Sequence, residues 1–304
     1  MPAVRPWLIG LLVVAACGGE PAERPTSETA ERPAGAVGTT RTTPEIFVDA
    51  VPGDAQVVFV GPDSTLVPEQ HAGATFVPLS TFSVERDGIP NEFPEPDAMQ
   101  SALGAAGVSG ERRVVFVGNP IPAARAFAAL DYLGRAADAA LLEGGIAQLP
   151  AQTNGARAQE QRGGDASAPF EADVRDDMIV DADWVHARLG DESVAILDAR
   201  PPAEYSGADP GDGIDRPGHI PGARNLFWQD LVVSADDTRL KPDDELRRLF
   251  AEAGADADDV VVAYCRTGGQ ASFLYAVARY LGYDVRLYDG SYIDWSRTEY
   301  PVER

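Results

Sequence analysis

The chain has 304 residues, enough for two domains of ordinary size, and 44% of them are hydrophobic, enough to build true cores. It carries 48 acidic against 25 basic residues, a formal charge of -23, which argues against nucleic acid as a partner and against docking on anionic lipid by charge. Lys241 is the single lysine, so cationic work falls to arginine.

In chain order, Arg5 supplies a short positive start and Trp7 to Ala16 an apolar run. That run is too short to span a bilayer and fits the core of a signal peptide over residues 1–17. Val14-Ala15-Ala16-Cys17 resembles the bacterial lipobox, which implies cleavage before Cys17 and acylation of that residue. Residues 18–43 are rich in Pro, Glu, Ala and Thr and read as a flexible tether. The expectation is an exported protein, lipid-anchored to the cell envelope on the periplasmic side or the outer membrane. The acylated N-terminus would then hold the bilayer, and Cys265 would be the only thiol left, with no internal disulfide possible.

The rest of the chain repeats at an offset of 148 residues. Asp131-Tyr132-Leu133-Gly134 matches Arg279-Tyr280-Leu281-Gly282, His71 matches His219, and Ala123 matches Ala271. Leu142-Glu143-Gly144-Gly145 matches Tyr288-Asp289-Gly290-Ser291 with a slip of two. This divides the chain into a first domain at 44–150, a polar linker at 151–173 and a second domain at 174–304. In the second, helical patterns at Asp183–Leu189, Asp243–Ala253 and Ala271–Leu281 alternate with strand patterns at Ser193–Asp198, Val260–Tyr264 and Val285–Tyr288. Such alternation predicts an α/β fold, each half a mainly parallel sheet with helices on both faces.

The strand Val260–Tyr264 runs into Cys265-Arg266-Thr267-Gly268-Gly269-Gln270 and then a helix. Glycines let backbone N–H groups converge, and the helix adds the positive end of its dipole. The arrangement predicts an anion cradle around a thiol with a lowered pKa. The plain alternative is a structural cysteine at a strand end, for which Arg266 and the two glycines would have no purpose. At the repeat offset, Cys265 falls on Val117, so the first domain has no nucleophile. Its loop, Gly118-Asn119-Pro120-Ile121-Pro122, has prolines that cannot donate.

The chain resembles a two-domain rhodanese, a sulfurtransferase, over roughly Pro44 to Arg304. The residues that carry the resemblance are Asp198-Ala199-Arg200, Gly218-His219-Ile220-Pro221-Gly222-Ala223, the loop Cys265 to Gln270, and Tyr288-Asp289-Gly290-Ser291 with Trp295. The resemblance implies two rhodanese-like domains, the first inactive, and a persulfide carried on Cys265. Thiosulfate would be the small-molecule sulfur donor, and cyanide or a thiol the thiophilic acceptor. Attack by a preformed thiolate needs no general base, and no metal or organic cofactor is implied. The loop residues Arg266, Thr267, Gly268, Gly269 and Gln270 would bind the donor, with Arg200 and Arg216 as further candidates. Asp198, His219 and Trp295 read as structural neighbours. Where many rhodaneses carry a second arginine, this chain has Glu204, and where a loop lysine is common it has Thr267.

Two rivals are kept. A 3-mercaptopyruvate sulfurtransferase would use the same loop, and Arg266 favours thiosulfate over it. A lipid-anchored carrier of sulfane sulfur would load once without turning over. A phosphatase loop would need arginine at 271, which is alanine.

Overall fold

The computed structural model describes residues 45–71, 74–108, 110–149 and 171–304. The expected signal peptide, tether, Cys17 and most of the linker lie outside the described residues. The first half holds a five-stranded sheet ordered β1-β7-β6-β2-β3 and the second one ordered β8-β12-β11-β9-β10. The strands of the first are β1 Phe47–Val48, β2 Gln56–Gly61, β3 Thr75–Pro78, β6 Val114–Gly118 and β7 Ala139–Leu142. Those of the second are β8 Ile179–Val180, β9 Val194–Asp198, β10 Arg224–Asn225, β11 Val260–Tyr264 and β12 Asp284–Tyr288. Every pairing within both sheets is parallel, and the two orders correspond strand for strand. A separate antiparallel hairpin, β4 Val84–Arg86 and β5 Ile89–Glu92, belongs to the first half.

The central strands are runs of Val, Phe, Ala and Leu buried on both sides, as parallel strands between layers require. Helices α1 (Pro96–Ala105) and α2 (Pro120–Tyr132) lie on one face of the first sheet. Helices α5 (Asp243–Glu252) and α6 (Gly269–Leu281) lie on the matching face of the second. Prolines at the start of α1 and α2 cost nothing, because the first helical N–H groups have no partner in any case. Asp243, Asp244 and Glu245 suit the positive end of the α5 dipole. The other face of the second sheet is covered by α3 (Ala182–His186) and α7 (Ser291–Trp295), with α4 (Pro202–Tyr205) between β9 and β10. Among the described residues, the other face of the first sheet carries 3-10 turns at Ser64–Leu66, Glu69–His71 and Gly145–Gln148.

The two halves share one core. The largest apolar cluster runs from Ile46 and Phe116 through α2 into α6 and on to Val261 and Leu287. Phe47 meets Phe273 and Tyr280 edge-on, with ring centroids 6.2 and 5.6 Å apart. A polar knot closes the same seam, where buried Asp131 of α2 accepts from Tyr275 Oη at 2.7 Å, Arg279 Nε at 2.9 Å and Arg175 Nη1 at 2.5 Å.

The repeat is real, but its strand register corrects the sequence alignment by one residue. Val114 and Phe116 face the shared core while Val115 and Val117 face the other side. In the second half Val261, Ala263 and Cys265 face the shared core, and Val262 and Tyr264 the other side. Side chains alternate along a strand, so Val117 is out of phase with Cys265. The counterpart of Cys265 is Gly118. The pairs Phe116–Leu141 and Ala263–Leu287 fix the same register and carry Gly145 onto Ser291. Both of those residues hold a positive φ, 59° and 56°.

Candidate active site

Cys265 sits at the carboxyl end of β11, the middle strand of its sheet, where parallel α/β sheets place their sites. It is 2% exposed. The chain turns at Gly268, whose φ of 87° is natural only for glycine, and enters α6. The turn brings the Gly268 N–H to 3.1 Å from Cys265 Sγ, and the N–H groups of Thr267 and Ala271 also point at the sulfur. The loop is clamped from behind by α7. Cys265 N–H donates to Ser291 Oγ at 3.2 Å, and the N–H groups of Tyr292 and Ile293 donate to the carbonyls of Cys265 and Arg266 at 2.9 and 3.0 Å.

The first half supplies the opposite wall. A cavity of about 220 Å³ is lined by Cys265, Arg266, Thr267, Gly269 and Gln270 on one side and by Leu79, Ser83, Asn91, Ile121 and Arg125 on the other. Asn91, in β5 with φ 61°, donates from Nδ2 to Thr267 Oγ1 at 3.1 Å. Arg125 of α2 is 1% exposed and pairs with Asp289 at 2.6 Å. It also donates to the carbonyls of Phe82 and Asn91 and lies 3.6 Å from the Phe93 ring centre. Asp289 in turn accepts from the Phe93 N–H at 2.6 Å. The hairpin and α2 are thereby tied to the reactive loop.

Electrostatically the sulfur differs from expectation. Burial pushes the Cys265 thiol up, the three N–H groups pull it down, and the Asp198 charge adds a smaller upward push. The net direction is upward, so the lowered pKa expected from the loop is not what the free site has. A thiol sealed from water at a strand end loses more from desolvation than its donors return.

A match to the family described as rhodanese-like domain covers residues 181–298. A Mycolicibacterium smegmatis protein named "Putative thiosulfate sulfurtransferase" is 32% identical over 72% of this chain and 80% of its own length. The chain belongs to the rhodanese family of sulfurtransferases. The Escherichia coli 3-mercaptopyruvate sulfurtransferase is 28% identical over 82% of this chain and 90% of its own. A Haloferax volcanii relative, also named "Putative thiosulfate sulfurtransferase", is 39% identical, and the chain spans about half its length, 49%. Among solved structures, SseA of Escherichia coli, a 3-mercaptopyruvate sulfotransferase, aligns with a TM-score of 0.59 at 26% identity. That alignment covers 79% of this chain and 93% of SseA. The yeast Tum1 structure shares the fold at a TM-score of 0.63 and 20% identity, over 82% of this chain and 92% of its own.

Within this rhodanese the other predicted residues fall in different places. Arg200 does not reach the cavity. It is fully buried, binds both carboxylate oxygens of Asp198, donates to the Gly218 carbonyl at 2.8 Å and stacks 4.1 Å from the Tyr292 ring centre. Arg216 does not reach it either, because it donates to the carbonyls of Trp295, Ser296 and Tyr300 and so ties down the C-terminal end of α7. Both arginines serve the scaffold because buried carbonyls and a buried carboxylate need donors more than the solvated cavity does. His219 has its Nδ1 3.0 Å from the Tyr205 carbonyl, stacks on the Tyr205 ring and exchanges backbone hydrogen bonds with Glu303. Trp295 is fully buried in the outer core, its Nε1 donating to the Pro301 carbonyl. Sequence reasoning missed Asn91 and Arg125. Arg125 had a visible signal, a lone charge inside the otherwise apolar stretch Ala123–Leu130. Asn91 had none.

Proposed function

We propose that the protein moves sulfane sulfur from thiosulfate to a thiophilic acceptor through a persulfide on Cys265. The observation that carries this reading is the convergence of three N–H groups on the buried Cys265 sulfur, which floors a cavity bordered by Arg266. The Cys265 sulfur, as thiolate, attacks the outer sulfur of thiosulfate. The S–S bond of the donor breaks, and sulfite leaves with the bonding pair. The resulting Cys265 persulfide anion sits where the loop N–H groups can hold it, as an oxyanion hole holds its charge. Cyanide then takes the outer sulfur as thiocyanate, or a thiol takes it as a new persulfide, and the Cys265 thiolate returns. All bonds exchanged are sulfur bonds, so no cofactor enters. Because burial raises the thiol pKa, the attacking thiolate forms by loss of the thiol proton to water as the donor binds.

The 3-mercaptopyruvate reading uses the same loop and the same persulfide, with pyruvate leaving in place of sulfite. Relatives carry both names, and Arg266, which borders the cavity, favours the donor with more anionic charge. The first half acts as a structural partner that walls the cavity, since Gly118 stands where a thiol would be. Export and anchoring through Cys17 complete the proposal, supported by the apolar run and the Val14-Ala15-Ala16-Cys17 motif. Fractionation of native host cells, with and without Cys17→Ser, tests that part.

The decisive experiment gives the purified protein either donor and weighs it. Thiosulfate should add one sulfur to Cys265 and sustain turnover with cyanide. Loading by mercaptopyruvate alone would transfer the assignment to that donor, and loading that stalls after one sulfur would leave a carrier. Arg266→Gly should raise the thiosulfate KM more than the mercaptopyruvate KM, through loss of a contact of about 1.5–3 kcal/mol.

A further inference from the structure

Arg266 is the one cation of the reactive loop, and it is not free to serve the cavity alone. Its Nη1 lies 3.8 Å from Glu204 Oε1 on α4, a helix that hangs between β9 and β10. Glu204 is the more sheltered partner, with a side chain 15% exposed against 38% for Arg266. Its second oxygen, Oε2, is buried without a hydrogen-bond partner. Arg200 Nη1, whose guanidinium feels the Glu204 charge, is likewise buried without a hydrogen-bond partner. A buried carboxylate oxygen with no donor is a costly arrangement. It persists here only with arginines on its margins.

We propose that Glu204 is a positioning residue that draws part of the Arg266 charge away from Cys265, so that the site's preference for doubly anionic donors is held below its full strength until the carboxylate is neutralised. This rests on the sulfur-transfer reading for its consequence but not for its test. The charged groups facing Glu204 are Arg266, Arg200, Asp198 and Asp209. Burial raises the Glu204 pKa above 4.5, and the two arginines lower it again in part. Its charge is therefore lost, as the pH falls, at a higher pH than for a free carboxyl. Losing that charge frees Arg266 to turn its whole charge toward the sulfur. A sulfurtransferase built this way would take its dianionic donor more readily in mildly acidic surroundings.

The experiment compares alkylation of Cys265 by iodoacetate, an anion, and by iodoacetamide, its neutral analogue. The purified full chain is used, and the Cys265 peptide is read by mass spectrometry, so that Cys17 does not enter the measurement. Both reagents attack the same thiolate, so the ratio of their rates cancels the Cys265 titration and reports local charge alone. Glu204→Gln, nearly isosteric, should raise the iodoacetate to iodoacetamide ratio by about three- to fivefold at pH 8. The wild-type ratio should climb toward the variant's as the pH is lowered, while the Glu204→Gln ratio stays flat. Glu204→Asp keeps the charge and should stay within about twofold of wild type. In an Arg266→Met background, Glu204→Gln should change nothing. An unchanged ratio in Glu204→Gln, or an equal change with Arg266 already removed, overturns the proposal. Failure of thiosulfate to load Cys265 would instead appear as no added sulfur in wild type, with the alkylation ratios still read independently.

Discussion

Replacing Arg125 by methionine tests the joint on which the cavity depends. The side chain is 1% exposed and its partner Asp289 only 7%, so the substitution leaves a carboxylate buried with the Phe93 N–H as its remaining close donor. Breaking a buried pair from one side costs about 3–5 kcal/mol, mostly the penalty of the stranded charge. The Phe82 and Asn91 carbonyls lose their donor as well. A loss of that size lowers the folding constant by about two to four orders of magnitude, where total stability is about 5–15 kcal/mol. Urea unfolding followed by circular dichroism measures it. Adding Asp289→Asn should return part of the loss, because the stranded charge is then gone. Sulfur transfer should fall beyond what the stability loss explains, since the Asn91 contact to Thr267 hangs on the same arginine. A loss under about 1 kcal/mol, or no recovery in the double variant, would refute the claim that this pair joins the halves.

Four further outcomes follow from the site. Cys265→Ser should abolish turnover while leaving the circular dichroism spectrum unchanged, and appreciable residual activity would remove the nucleophile assignment. Gly268→Ala should cost stability and activity together, because its φ of 87° disfavours a side chain and the added Cβ would lie 3.0 Å from the Asp289 carbonyl oxygen; wild-type kinetics would contradict this. Burial raises the Cys265 pKa, so iodoacetamide labelling of the free protein should still be climbing above pH 9.0. By the same sign, the stability the neutral thiol contributes is complete below its unfolded value and is lost as pH rises through the folded one; a labelling plateau below pH 9.0 would reverse both statements. A fragment of residues 174–304 should be less stable and less active than the full chain, since the apolar faces of α6 and the tyrosine knot at Asp131 lose their cover; equal behaviour would show that the halves are independent.

The second half was the more legible because its signals are local. Val260–Tyr264 reads as a buried strand and is one, to the residue, and the amphipathic run Asp243–Ala253 forms α5. The glycine turn after Cys265 was visible because only glycine takes that φ cheaply. What was not visible depends on contacts between distant positions. Arg200 and Arg216 looked like donors to an anion, but a sequence does not show which carbonyls and carboxylates a fold will bury around them. The thiol's pKa failed for the same reason: converging N–H groups follow from the loop, whereas the depth of burial follows from α2 and the β4–β5 hairpin. The repeat offset was right in kind and one residue wrong at the strand, because the loop and the helix that follow it carry their own shift.

That shift explains why only one half turns loop N–H groups onto a strand-end side chain. Between the strand position and the helix start, the second half runs Cys265 to Gly269, whereas the first runs Gly118 to Pro120, two residues shorter. Four loop steps let Thr267, Gly268 and Ala271 aim their N–H groups back at the side chain of residue 265. Two steps cannot make that return, and Pro120 and Pro122 have no N–H to offer. Nor is there room for a side chain, since a Cβ at Gly118 would stand 2.5 Å from the Val60 carbonyl oxygen. The same short turn brings α2 in with Ile121 and Arg125 against the reactive loop. The first half thus has no room for a cradle of its own and walls its neighbour's.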